Sequence, residues 1–81
     1  MEVYLTRHAR NRMRLYRVAA EDVEEAMSHP EQVQAGAFGA QHAWKRFRDR
    51  WLRVTFKDEG PRRIVLTVTP TRHGPGGPHA D

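Results

Sequence analysis

The chain has 81 residues, no cysteine, 14 Lys and Arg against 10 Asp and Glu, and a formal net charge of +4. That length allows one small domain. The missing cysteines exclude a disulfide framework and thiolate chemistry, and no apolar run approaches the ~20 residues of a membrane span. Domains this small bury only about 60% of the surface that the unfolded chain exposes. They often gain stability by pairing, so a homodimer is expected. The start of the chain lacks the apolar core of a signal peptide, which makes a cytoplasmic location the default expectation.

Glu2 to Leu5 reads either as a short strand or as the lead-in to a first helix, for which Thr6 is a suitable N-cap. At about 100° per residue, Leu5, Ala9, Met13 and Tyr16 fall on one face of that helix. His8 and Arg12, four apart, border the apolar stripe, while Arg7, Arg10, Arg14 and Arg17 point away. A second helix is predicted over roughly Glu21 to Ser28, with Val23, Ala26 and Met27 apolar and its acids at the positive end of the helix dipole. Pro30 stops it.

Beyond Pro30 the period changes to two. Gln32 to Ala37 is a weak strand, Gln41 to Phe47 a stronger one, and Trp51 to Lys57 and Arg63 to Thr69 are clear strands around the turn Asp58-Glu59-Gly60-Pro61. Strict alternation puts Leu52, Val54 and Phe56 on one side, and Ile64, Leu66 and Val68 opposite Arg63, Val65, Thr67 and Thr69. The second face would carry Trp51, Arg53, Thr55, Lys57, Val65 and Thr67. The expected fold class is α+β, with two N-terminal helices on one face of a three- to four-stranded antiparallel sheet. Residues 1–70 form the domain, and residues 71–81, rich in Gly and Pro, form a flexible tail.

Charge is segregated along the chain. Five Arg and no acid occupy Arg7 to Arg17, four acids occupy Glu21 to Glu25, and five cations lie between Lys45 and Arg53 beside the single acid Asp49. Such blocks suit a polyanion, most plausibly nucleic acid, although a GC-rich coding bias also raises Arg content. Arg7, Arg10, Arg14, Arg46, Trp51 and Lys57 are the candidate nucleic-acid contacts. A Trp among cations and hydroxyls fits RNA, where aromatics stack bases and Arg takes phosphates. It fits a dimer interface as well.

The order of features His8-Ala9, Arg12-Met13, Asp22-Val23-Glu24, Pro30, Lys45, Leu52-Arg53-Val54 and Val65-Leu66-Thr67-Val68 resembles the bacterial domain-of-unknown-function family 4258. The resemblance spans about Tyr4 to Thr71. It implies a compact helix-helix-sheet domain similar to the RelE and BrnT toxin ribonucleases, and a separate acidic antitoxin as partner. Its pattern carries over onto His8, Arg12, Lys45, Arg53 and Thr67. Two departures stand out. Arg17 and Ala19 replace the usual Gly and Ser between the helices, so a longer or bent connection is expected. Leu15-Tyr16 stands where BrnT-like proteins carry Lys-His, so a BrnT active site does not transfer directly.

Metal-independent RNA cleavage needs a base, an acid and cations on the phosphate. In that reading His8 is the base or acid, Arg12 and Arg53 hold phosphate, Lys45 neutralises developing charge, and Thr67 orients a proton or water. Each residue also has an ordinary role open to it. His8 could bond a neighbouring strand, Arg12 could pair with Glu24 or Glu25, Lys45 and Arg53 could be surface cations, and Thr67 suits any strand. No cofactor or metal is expected, since His29 and His42 are isolated and His73 and His79 fall in the tail. Three functions follow: an RNA- or ribosome-directed domain of RelE-like toxin type with endoribonuclease activity, a non-catalytic nucleic-acid-binding module, or a homodimeric structural domain.

Overall fold

The computed structural model describes residues 2–76. In chain order it contains β1 (Glu2–Leu5), α1 (Arg7–Tyr16), α2 (Ala20–Ser28), β2 (Gln32–Ala35), a 3-10 turn (Ala37–Gly39), β3 (Gln41–Phe47), β4 (Arg50–Glu59) and β5 (Arg62–Thr71). The five strands form one sheet in the order β1-β5-β4-β3-β2. The fold is α+β with two helices, but the sheet is neither three- to four-stranded nor wholly antiparallel. β1 joins it as a fifth strand, parallel to β5. Three of the four β1 residues are exposed, so no apolar alternation marks it as a strand.

Thr6 fixes the start of α1. It is extended (φ −66°, ψ 163°), its hydroxyl accepts from the Ala9 N–H at 3.1 Å, and the same hydroxyl donates to the Leu66 carbonyl at 3.1 Å. One residue therefore caps the helix and ties it to β5. Ala9, fully buried, lets α1 approach that strand closely. α1 packs on β5 and β1, and α2 on β4 and β3. The core between helices and sheet holds Ala9, Val18, Val23, Ala26, Met27, Ala43, Leu52, Val54, Phe56, Val65 and Val68.

The connection between the helices is short, not extended or bent, because Arg17 itself takes the left-handed conformation (φ 56°, ψ 52°). Its N–H bonds the Arg14 carbonyl at 3.4 Å, and the Val18 N–H bonds the Met13 carbonyl at 2.8 Å, closing the helix as a Schellman motif. Tertiary contacts offset the missing glycine. Val18 is buried, and the Arg50 guanidinium donates to the carbonyls of Tyr16 at 3.2 Å and Arg17 at 3.4 Å. Ala19 begins α2 without a side-chain cap, and Glu21 and Asp22 in the first turn answer the helix dipole.

The β4–β5 pairing departs from strict alternation. Thr55 pairs with Thr67 and Phe56 with Val65, so β5 carries one extra residue, Leu66, as a bulge. The bulge turns Val65 and Val68 both toward the helices and leaves Ile64, Thr67 and Thr69 on the opposite side. Val65 thus belongs to the core and not to the second face.

Two substitutions report on these joints. Arg17→Gly removes the left-handed penalty and is expected to stabilise by about 0.5–1 kcal/mol, raising the thermal midpoint by several degrees. Thr6→Ala is expected to lose about 1 kcal/mol or more, because it removes both the cap and the link to Leu66. Thermal and urea unfolding of the two variants checks both.

Candidate nucleic-acid interface

Residues paired across an antiparallel ladder point to the same face. Lys45 pairs with Leu52, which places it on the helix side, while Trp44 pairs with Arg53 on the other. By the same register His42 and Thr55, Arg46 and Trp51, Lys57 and Ile64, Arg53 and Thr69, and Thr55 and Thr67 share the face away from the core helices. From β2, Gln32 and Gln34 point the same way.

This face is not an ordinary solvated surface. Trp44 is only 2% exposed although the helices lie on the other side of the sheet. Its Nε1 donates to Gln34 Oε1 at 2.9 Å. Trp51 meets it edge-on, with ring centroids 6.4 Å apart and planes at 75°. The Arg53 guanidinium lies over the Trp44 ring, 5.7 Å from its centroid. The Arg53 Nε is buried and makes no hydrogen bond. The chain after β5 then turns back against Trp51, where a Cβ at Gly74 would come within 2.4 Å of the indole. The expected flexible tail therefore begins with residues packed on the sheet, and its residues 77–81 lie outside the described ones.

His42 and Thr55 form a second unit of the same face. Nδ1 of His42 lies 2.8 Å from the Thr55 hydroxyl, which is itself buried. The other ring nitrogen abuts Gly36, where a Cβ would stand 2.8 Å from Nε2. Burial, and then the charge of Arg53, holds the His42 imidazole below its ordinary value of 6.5. At neutral pH it is uncharged, a base beside a fixed cation.

The residues singled out in the sequence divide between two surfaces. Arg46, Trp51, Arg53, Lys57 and Thr67 share the open face. His8 is exposed on α1. Arg12 does not reach Glu24 or Glu25; its Nη1 donates to the Tyr16 hydroxyl at 3.1 Å and its guanidinium lies 5.6 Å from that ring's centroid. Lys45 donates to the His29 carbonyl at 3.0 Å and sits 3.6 Å from Glu25, so it answers the C-terminal end of α2. His8, Arg12 and Lys45 are thus not brought together with Arg53 and Thr67. Arg7, Arg10 and Arg14 line a shallow recess with Asn11 on the outer side of α1, apart from the sheet face.

His42, Gln34 and Trp44 carry no mark of a site in the sequence. The alternation in Gln41 to Phe47 already puts His42, Trp44 and Arg46 on one side, but which strand lies beside them depends on sheet order. Among the described residues no group of three His, Asp or Glu could hold a metal ion, and no helix is long and apolar enough to cross a membrane.

Fold and site together define an α+β domain with both helices on one face of a mixed sheet and an aromatic, cationic second face. Comparison of the chain with protein-family models, with curated proteins and with solved structures finds no match.

The imidazole gives a direct test of this geometry. By NMR the His42 titration midpoint is expected below 6.5 and should rise in Arg53→Gln without reaching 6.5, because the burial remains. The unfolded chain binds the extra proton in this window. The stability contributed by neutral His42 is therefore complete above pH 6.5 and lost as pH falls through the lower folded value. The difference in acid unfolding between wild type and His42→Gln measures it.

Proposed function

We propose that this domain is RNA-directed and that its open sheet face takes a single strand. The observation that carries the reading is the cluster of Arg53, Trp44 and Trp51 on the face that the core helices leave uncovered. Trp51, half-buried with its edge against Trp44 and Gly74 close to its ring, offers the part of its ring face left open for base stacking, which is worth about 1–3 kcal/mol per base. Arg46, Arg53 and Lys57 supply cations for the phosphates, and Thr67 and Thr69 supply hydroxyls for sugar and phosphate oxygens. Trp44 is buried and serves as the floor on which Arg53 rests. The resemblance to family 4258, and through it to the RelE-type toxins, points to the same partner, with the ribosome as a setting and an acidic antitoxin as a counterpart.

A cleavage reading is favoured by one further observation. The chemistry sought in His8, Arg12 and Lys45 has a counterpart on the open face, in neutral His42 bonded to Thr55 beside Arg53. In that reading the 2′-hydroxyl gives its proton to His42 and its oxygen bonds to phosphorus, the 5′-oxygen leaves and takes a proton from water, and Arg53 holds the phosphate on which charge develops.

Binding of a mixed-sequence single-stranded RNA, measured against salt, tests the first reading. With three phosphate contacts log K should fall against log salt with a slope of about −2. Trp51→Ala should weaken binding by about tenfold or more, and Arg53→Gln should flatten the slope by about 0.7. Replacing Arg7, Arg10 and Arg14 together by Gln should leave affinity nearly unchanged. If the folded protein binds no RNA at low salt, or if the Arg7, Arg10 and Arg14 variant loses binding and Trp51→Ala does not, the sheet face is not the site. Cleavage of the bound RNA in EDTA, lost in His42→Gln with binding retained, would establish the second reading.

A further inference from the structure

β5 ends at Thr71, which pairs with Trp51 across the ladder, so the chain leaves the sheet beside that indole. There it bends. The Thr71 hydroxyl donates to the His73 carbonyl at 2.7 Å, a local bond of the kind that short hydroxyl side chains use in turns. Gly74 is thereby brought onto Trp51. A Cβ at Gly74 would stand 2.4 Å from Cε2, 2.7 Å from Cζ2 and 2.8 Å from Cδ2 of the ring. Cε2 is bonded to the other two, and a point this near to all three lies above the ring plane, not at its edge. Gly74 therefore covers one face of Trp51, in a position that no residue with a side chain could hold without a shift of chain or ring.

The cover is close but weakly tied. Gly74 and Pro75 are half-buried, yet among the described residues none from Gly74 to Gly76 makes a backbone hydrogen bond to the sheet. Two of those three are glycines, which lose the most conformational freedom on ordering. Trp44 is packed differently. It is held by Gln34 of β2 and Arg53 of β4, whereas the cover on Trp51 comes from beyond the last strand.

We infer that residues 72–76 form a strap that competes with an RNA base for this face of Trp51, an autoinhibitory contact that rests on the RNA reading of the open face. A base that displaces the strap exchanges a glycine, which has no side chain to pack, for a flat ring stacked on the indole. The exchange costs the strap only contacts made at Trp51, because the hydroxyl bond of Thr71 lies within the strap and its turn. A covered site binds with an apparent affinity reduced by the fraction of molecules in which it is open. Lifting the strap therefore strengthens RNA binding without adding any contact to RNA.

Two variants of the full chain test this. Gly74→Ala drives the backbone off the ring, and Thr71→Val removes the hydroxyl of the turn while keeping a β-branched residue in the strand. Without RNA, acrylamide quenching of tryptophan emission reports the strap itself: Trp44 is 2% exposed, so the quenchable emission is that of Trp51. Quenching should rise in both variants, and each should bind mixed-sequence single-stranded RNA about three- to tenfold more tightly than wild type. Unchanged quenching in both overturns the strap. Raised quenching with RNA affinity unchanged or weakened overturns the competition and leaves the RNA reading intact. A folded chain that binds no RNA, as wild type or as either variant, overturns that reading and the inference with it.

Discussion

One extra residue in β5 governs how both sides of this sheet are used. Without the bulge at Leu66, the alternation begun by Val65 would carry Thr67 and Thr69 toward the helices and send Val68 to the far side. With it, Val65 pairs with Phe56 and Val68 with Val54, and both are fully buried against the helices. The same residue supplies the carbonyl that accepts from Thr6, and the Thr6 N–H bonds the Val65 carbonyl at 3.2 Å. The cap of α1, the attachment of that helix and the closing of the core therefore depend on a single irregularity. Beyond the bulge Thr67, Thr69 and Thr71 all fall on the face that carries Thr55, Arg53 and Trp51. The feature that completes the core is also the one that furnishes the second face.

That second face is a small packing unit in its own right. A domain of this size has too few apolar residues for two full cores, and the far side of the sheet is sealed by one indole. Trp44 is buried by the edge of Trp51, the guanidinium of Arg53 and the amide of Gln34. Using a cation as part of the cover leaves a polar atom out of water, and the Arg53 Nε has no partner there. An unpaired buried donor costs about 1–3 kcal/mol, a cost that apolar packing would not incur. Arg53 also depresses the basicity of His42, so cation and neutral imidazole act on each other across the same face. A ligand that accepts hydrogen bonds from Arg53 would relieve this arrangement, which an apolar ligand would not.

The sequence made the local features legible and left the long-range ones open. Thr6 as a cap, Pro30 as a stop, the apolar faces of both helices and the split of Leu52, Val54 and Phe56 from Trp51, Arg53 and Thr55 follow from period and residue type. β1 was ambiguous because Glu-Val-Tyr-Leu at a sheet edge has little to bury. The Leu66 bulge was hidden because Val65-Leu66-Thr67-Val68 alternates acceptably in either register. The separation of Lys45 from Arg53 needed the pairing of β3 with β4, which no single strand encodes. The spacing of His8 and Arg12 suggests a pair, yet Arg12 is occupied by Tyr16. His42 is not legible as part of a site because its partners lie on other strands.

Among the described residues, left-handed backbone outside glycine is confined to the joints between helices and strands. Arg17, Arg48 and Phe38 are the non-glycine residues with positive φ among those described. Arg17 is held by the Schellman bonds, by the burial of Val18 and by the guanidinium of Arg50 on the neighbouring carbonyls. Arg48 turns β3 into β4 across a two-residue hairpin, where a left-handed residue matches the twist of the strands. For both, the surrounding structure explains the conformation. Phe38 is explained in the same way: with Gly39 (φ 80°) it forms the central pair of a type I′ turn in the hairpin between β2 and β3, closed by the Ala40 N–H to the Ala37 carbonyl at 3.0 Å. Each left-handed residue is thus fixed by the turn or helix end it closes, which is the condition for a strained residue to persist.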